Sequence, residues 1–201
     1  MAFRLNDELA SAPEDGAPEI ERLKCLLETG GPAEQQTAAA QLVRLGAEDA
    51  LTDCLVSKNP VTVRLATGGL WECWLNEQGP SARREIDKGI NQMNGGDLEG
   101  ALEIFGKLAK KYPRWAEAYN KQATVLYLLG NARLSLKLCQ TVVELKPRHF
   151  GGWNGMALCA AQLEKWQVAL AAARKALSIQ PGAQANLDLI HLAQAKLKEE
   201  E

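Results

Sequence analysis

The sequence predicts an all-α protein, a right-handed helical-repeat superhelix of the α-solenoid kind, on three observations. Pro113, Pro147 and Pro181 recur at one constant interval, each closing a helix-like run that reads KLAKKYP, VVELKP or ALSIQP. Aligned on those prolines, Gly89, Ala123 and Ala157 share one position and Ala101, Ser135 and Ala169 share another. Small residues fall where two helices must approach closely. A second, shorter period runs through the first third of the chain, pairing Leu23 with Leu51, Leu27 with Leu55, Pro32 with Pro60, Ala38 with Ala66 and Leu42 with Leu70.

Each 34-residue unit reads as two helices with one apolar seam. Tyr119 superposes on Trp153, Phe105 on Cys139 and Ala173, and Leu102 on Leu136 and Leu170. Because proline lacks the N–H that a helix interior needs, it marks the end of each unit. The helices are separated by Gly95 to Asp97, Gly130 to Asn131, and Glu164 to Trp166; the first two are turn formers, and the third has no glycine. The three units are read over 82–181, in 34-residue frames 82–115, 116–149 and 150–183 whose last two positions lie past Pro181, and 184–201 is expected to be a capping helix with Leu187, Ile190 and Leu197 on its apolar face.

The order of aromatic, small residue, alanine, aromatic and terminal proline resembles the tetratricopeptide repeat over about half the chain. Tyr119, Ala123, Gly130, Pro147, Trp153, Ala157, Ala169 and Pro181 carry the resemblance. The first unit departs from it at Glu85 and Gln92, where aromatics are usual, and keeps it at Gly89, Ala101, Phe105 and Pro113. The runs AEAYNKQATVLYLLG and VVELKPRHFGGWNGMAL look like a group of bacterial and plant or algal tetratricopeptide proteins that carry WNKRATVLYLLG and PRHFG there, with Gln122 replacing the usual arginine. That resemblance spans about residues 70–181 and implies scaffolding only.

Residues 19–78, which carry the shorter period, resemble HEAT-like helical pairs. Pro32 and Pro60 suit the first turn of a helix, where a missing N–H is harmless. Gly68 and Gly69 weaken the last of these helices unless a neighbour packs against them, and that packing is the role expected of both. Trp71 and Trp74, three apart, share one helical face. They are expected to form a wedge between the two arrays, with an exposed aromatic anchor for a partner as the alternative. The connector NEQGPSAR is short, which points to one continuous superhelix. Residues 1–18 read as a polar, flexible tail whose Glu8, Glu14 and Asp15 are solvated charges.

Composition narrows the function. With 46% hydrophobic residues the chain can bury a core, and a formal charge of -2 lacks the basic excess that phosphate backbones require. No stretch is apolar enough to span a membrane, and the acidic start resembles neither a secretory signal nor a transit peptide. The expected setting is soluble and intracellular, cytoplasmic by default, with the chloroplast stroma left open by the plant and algal resemblance. Five cysteines without a C-x-x-C pair read as small buried hydrophobes in a reducing compartment. His149 and His191, far apart in sequence and with no acid or cysteine at ligand spacing, read as surface or helix-end imidazoles. The sequence has no phosphate-loop, zinc-protease or serine-elbow motif, so no catalytic residue, metal or cofactor is assigned and the chain is read as a non-enzyme.

In tetratricopeptide proteins the first helix of each unit lines a concave ligand surface. The resemblance therefore nominates Ile86, Ile90 and Met93, then Asn120, Thr124 and Tyr127, then Asn154, Leu158 and Gln162 as a groove for an extended or helical peptide. The family's clamp for the carboxylate tail of heat-shock chaperones needs cations and amides at fixed places. Here those places hold Ile86, Ile90, Lys121, Gly151 and Gly155, so only Lys121 could supply charge and the clamp is disfavoured. Lys107, Lys110, Lys111 and Arg114 gather at a helix end, where cations complement the dipole, with an acidic partner or RNA as the sharper alternative. The leading reading is a scaffold, adaptor or assembly factor with a protein or peptide partner. A structural subunit of a larger complex is the alternative, and an RNA-binding repeat is the third. No small-molecule substrate is evident, and nothing sets an oligomeric state.

Overall fold

The computed structural model describes residues 17–200, so the tail expected at 1–18 and its acidic residues lie almost wholly outside the described residues. The described chain is all helical. Four helices come first: α1 (Ala17–Thr29), α2 (Pro32–Arg44), α3 (Glu48–Asp53), extended by a 3-10 turn at Cys54–Val56, and α4 (Pro60–Asn76). Three hairpins follow: α5 (Gly79–Asn94) with α6 (Leu98–Lys111), α7 (Ala116–Leu128) with α8 (Ala132–Leu145), and α9 (Phe150–Gln162) with α10 (Trp166–Ile179). The last helix is α11 (Gln184–Glu199). No helix of the described residues is long and apolar enough to cross a membrane.

Helices α1 to α4 enclose Leu23, Leu27, Ala38, Leu42, Leu51, Leu55, Ala66 and Leu70, the residues of the shorter period. Pro32 and Pro60 stand in the first turns of α2 and α4, and the Asn59 side chain accepts the Val61 N–H at 3.0 Å. Three polar residues are buried here, of which Thr52 donates to the Glu48 carbonyl at 2.7 Å. Gln35 and Thr62 both donate to the Leu27 carbonyl at 2.9 Å, which satisfies them. The glycine pair divides in role. A Cβ on Gly69 would meet Leu51 and Val43 side chains at 3.1 to 3.2 Å, whereas one on Gly68 would meet open space, so only Gly69 has the expected packing role. Among the cysteines, Cys25 is exposed, contrary to expectation, because it lies on the outer face of α1; the other four are buried.

In the hairpins the small residues do what their spacing implies. Ala101, Ser135 and Ala169 are fully enclosed, and a Cβ on Gly89 would come within 2.6 Å of the Phe105 ring. The early aromatics tie each unit to the preceding proline turn: Tyr119 Oη reaches the Pro113 carbonyl at 3.4 Å and Trp153 Nε1 donates to the Pro147 carbonyl at 2.8 Å. Gly96 and Gly130 adopt positive φ in the turns inside the first two hairpins. Glu164, one repeat after Gly130, holds the same left-handed conformation at φ 56°, which a side chain adopts at some cost.

The chain does not simply stack in sequence order. Only Glu77 and Gln78 separate α4 from α5, yet α4 also packs across α7 and α9, and the core of α1 to α4 takes in Phe150 and Ile179 from the third unit. Polar ties reinforce this. Lys146 bonds Glu48 at 2.8 Å and Glu77 at 3.2 Å, Arg148 bonds Asp49 at 2.8 Å and Asp53 at 3.0 Å, and Gln180 donates to Thr67 at 3.1 Å. Trp74 is the expected wedge: it is 1% exposed, its indole donates to Glu48 at 2.9 Å, and its carbonyl accepts from Trp115 at 2.7 Å. It is not a surface anchor.

Two substitutions check this account by thermal melting. Glu164→Gly should stabilise by about 1 kcal/mol, raising the midpoint by a few degrees, because it relieves the left-handed strain. Gly89→Ala should destabilise by about 1 to 3 kcal/mol, since the methyl group has no room beside Phe105.

Candidate functional site

Helices α7 and α9 lie side by side with α8 behind them, and Trp71 of α4 closes one flank. Between them is a cavity of about 230 Å³. Asn120, Thr124, Tyr127, Asn154 and Leu158 line it, together with Trp71 and Lys121; Ser135, Cys139 and Cys159 also line it, at the α8–α9 contact. The remaining nominated residues lie elsewhere. Ile90 and Met93 are half-buried against the core of the first hairpin, and Gln162 is exposed at the end of α9 without lining the cavity. Ile86 is a correction: it is fully enclosed with Ala82, Phe105 and Leu108, because the helical period turns it with Ala82 and Gly89 onto the face that meets α6.

The electrostatics of the cavity wall turn on a residue that sequence reasoning missed. Glu117, in the first turn of α7, is fully buried. One carboxylate oxygen accepts from His149 Nε2 at 3.0 Å and from the Asn120 amide at 3.1 Å; the other pairs with Lys121 at 3.0 Å. Burial alone would raise the Glu117 pKa, but the His149 hydrogen bond and the Lys121 charge outweigh it and hold the carboxyl below its usual range. His149 stands at a helix end, one of the two places expected of it, but the surface alternative is corrected. It is not a surface imidazole but is 0% exposed, caps α9 by accepting the Gly152 N–H on Nδ1 at 3.0 Å, and stacks on Trp74 at 3.9 Å. A backbone N–H on Nδ1 leaves Nε2 carrying the proton that Glu117 accepts.

Lys121 completes the wall, with its ammonium 5.0 Å from the Trp71 ring centroid. Gly151 makes room for that ring, since a Cβ there would come within 2.6 Å of Trp71. One sequence signal pointed to His149. It occupies the same place in its repeat as Trp115, the position before α7 and α9 that faces α4, and Trp115 is also fully enclosed. Among the described residues no group of three or more His, Cys, Asp or Glu could hold a metal. Of the basic cluster, Lys107 pairs with Glu103 and Lys111 with Glu85, both at the surface.

A depressed folded pKa contributes stability that is complete above the ordinary carboxylate range and is lost as pH falls through it. The denaturant midpoint of the wild type should therefore begin to fall below about pH 5 and keep falling until the depressed Glu117 carboxyl protonates, and Glu117→Gln should flatten part of that fall. His149→Ala should destabilise by about 3 kcal/mol or more at neutral pH, because it unpairs a buried carboxylate and empties the space beneath Trp74.

Sequence and structure comparisons agree with the repeat fold. A TPR repeat-containing protein of Rhizobium etli is 30% identical over 97 residues, 48% of this chain and 48% of the relative. The chain spans half or less of the length of the curated relatives it matches. The first TPR of Spaghetti (RPAP3) bound to the HSP90 peptide SRMEEVD superposes with a TM-score of 0.56 at 15% identity, covering 57% of this chain and 90% of that one. The TPR2AB domain of yeast Sti1 in its pHSP90 complex gives 0.55 at 16% identity over 90% of this chain and 81% of the other. No protein-family model matches the chain. The repeat spacing, the helix order and these likenesses give it the fold of a tetratricopeptide-repeat solenoid.

Proposed function

We propose that the chain is a non-catalytic adaptor that holds an uncharged segment of another protein in the cavity between α7 and α9. The observation that supports this most is how the lining charges are used. Lys121 is paired with a carboxylate that is itself buried, so the cavity offers an incoming chain amide, hydroxyl and apolar groups instead of a free cation. Asn154 suits a peptide backbone, and Trp71 with Leu158 suits an apolar side chain. The Spaghetti domain binds a peptide ending in acidic residues, SRMEEVD. The chemistry here favours a neutral segment over an acidic one.

A second reading, a structural subunit of a larger complex, is supported by Leu128, Leu129 and Leu134, which are 55%, 39% and 49% exposed around the α7–α8 turn. Dispersed, monomeric behaviour of the purified chain favours the adaptor, and insolubility without a partner favours the subunit.

Affinity capture from the native organism tests the groove. Asn154→Ala combined with Leu158→Ala leaves the Glu117 cluster untouched, whereas Asn120→Ala would not, because Asn120 bonds Glu117. Partners held by the wild type should be lost, with affinity at least about tenfold lower, in the folded double variant. Equal capture by both proteins would reject the groove. Acidic chaperone-tail peptides should bind weakly or not at all, and micromolar binding that disappears in Lys121→Ala would reject the neutral-segment reading.

A further inference from the structure

The face that carries the cavity does not end at α9. Asp188 and Leu192 of α11 stand one 34-residue interval on from Asn154 and Leu158, which stand one interval on from Asn120 and Thr124. Helix α11 packs against α9 as well as against α10. Leu189 joins Trp153, Met156 and Ala157 in one apolar cluster, and Ala193, a turn further along α11, joins Cys159 and Ala160, further along α9, in another. The two helices therefore run side by side in the same direction and in the repeat register, so α11 takes the place that the first helix of a further unit would have. Leu158 is 38% exposed and Leu192 is 46% exposed, an apolar strip that the fold leaves uncovered.

The charges along this face are unequally used. Its two cations are committed, Lys121 to Glu117 at 3.0 Å and Lys196 to Glu199 at 2.7 Å. Asp188 is exposed, its carboxylate accepts from the Gln184 amide at 2.9 Å, and no cation among the described residues pairs with it. A face that is otherwise neutral thus has one uncompensated negative point beside its exposed leucines. We propose that α11 extends the groove and that Asp188 is a specificity-determining residue, selecting a lysine or arginine in the bound segment beyond the apolar side chain held at Leu158 and Leu192. This rests on the groove reading above and adds the partner's chemistry: the stretch between α7 and α9 is uncharged, and the stretch that crosses α11 is cationic. Packed helices stand roughly 10 Å apart and an extended chain advances roughly 3.3 Å per residue, so the cation falls about three residues from the one seated in the cavity.

The probe is a phage-displayed library of random dodecapeptides panned on the full chain, and the peptides it returns are synthesised and titrated by fluorescence anisotropy. Those whose binding is lost in Asn154→Ala with Leu158→Ala should carry Lys or Arg about three residues from an apolar residue. Asp188→Asn keeps the shape of an exposed side chain and should melt with the wild type. It should weaken these peptides about two- to fivefold at low salt, and the loss should shrink as salt rises. In Asp188→Lys a fresh selection should turn toward Asp and Glu. Groove-dependent peptides that lack a cation and are indifferent to Asp188→Asn would overturn this inference and leave the groove reading standing. If no peptide depended on Asn154 and Leu158, both would fall. Self-association of the chain that Leu192→Ala abolishes would assign the strip to a second copy and also overturn the proposal.

Discussion

The buried carboxylate of Glu117 is the constraint on which the rest of the arrangement depends. An ionised carboxylate out of water is tolerable only if hydrogen bonds and opposite charge offset its desolvation, and three groups do so: His149 at the start of α9 and Asn120 bond one oxygen, and the Lys121 ammonium pairs with the other. Each of those is fixed in turn. His149 is held by the Gly152 N–H on one side and the Trp74 ring on its face, and Lys121 lies over Trp71. The requirement to satisfy one carboxylate thus sets the relation of α4, α7 and α9.

That arrangement explains why the cavity lies where it does. In the first hairpin the inward-facing Ile86 is sealed under α6, and Ile90 and Met93 pack on the same core, so nothing opens there. Between the second and third hairpins, Gly151 and Gly155 leave space at two successive turns of α9. Trp71 fills the upper part, and the remainder is left beside Asn154 and Leu158. The charge needed to organise the wall is consumed within the wall. A ligand therefore meets a surface whose cation is already neutralised.

The sequence makes the periodic part of this legible, because a regular spacing of prolines and small residues is imposed by contacts within and between adjacent hairpins. Asn120, Thr124, Tyr127, Asn154 and Leu158, all nominated from the repeat pattern, line one cavity for that reason, although their part in binding is a proposal. What escaped came from contacts distant in sequence. His149 reads as a turn histidine until α4 is placed over it. Glu117 reads as an ordinary acid in a helix's first turn, favoured by the dipole, until the same helix covers it. Ile86 fails differently: the aligned positions in the next two units are Asn120 and Asn154, which line the cavity, whereas an isoleucine here is sealed against α6 with Ala82.

Solenoids are usually treated as one-dimensional, each repeat sensing only its neighbours, so that stability is a sum of local terms. Here that description does not hold. The ties from Arg148 to Asp49 and Asp53, and from Gln180 to Thr67, reach across half the chain and return the third hairpin to the first helices. Trp71, which forms one flank of the cavity, belongs to those first helices, so the cavity exists only when they are folded and docked. Any ligand that binds there stabilises them by mass action, although it touches only one of their side chains. The N-terminal helices and the cavity wall are therefore one thermodynamic unit, joined through His149, which stacks on Trp74 of α4 and bonds Glu117 of α7.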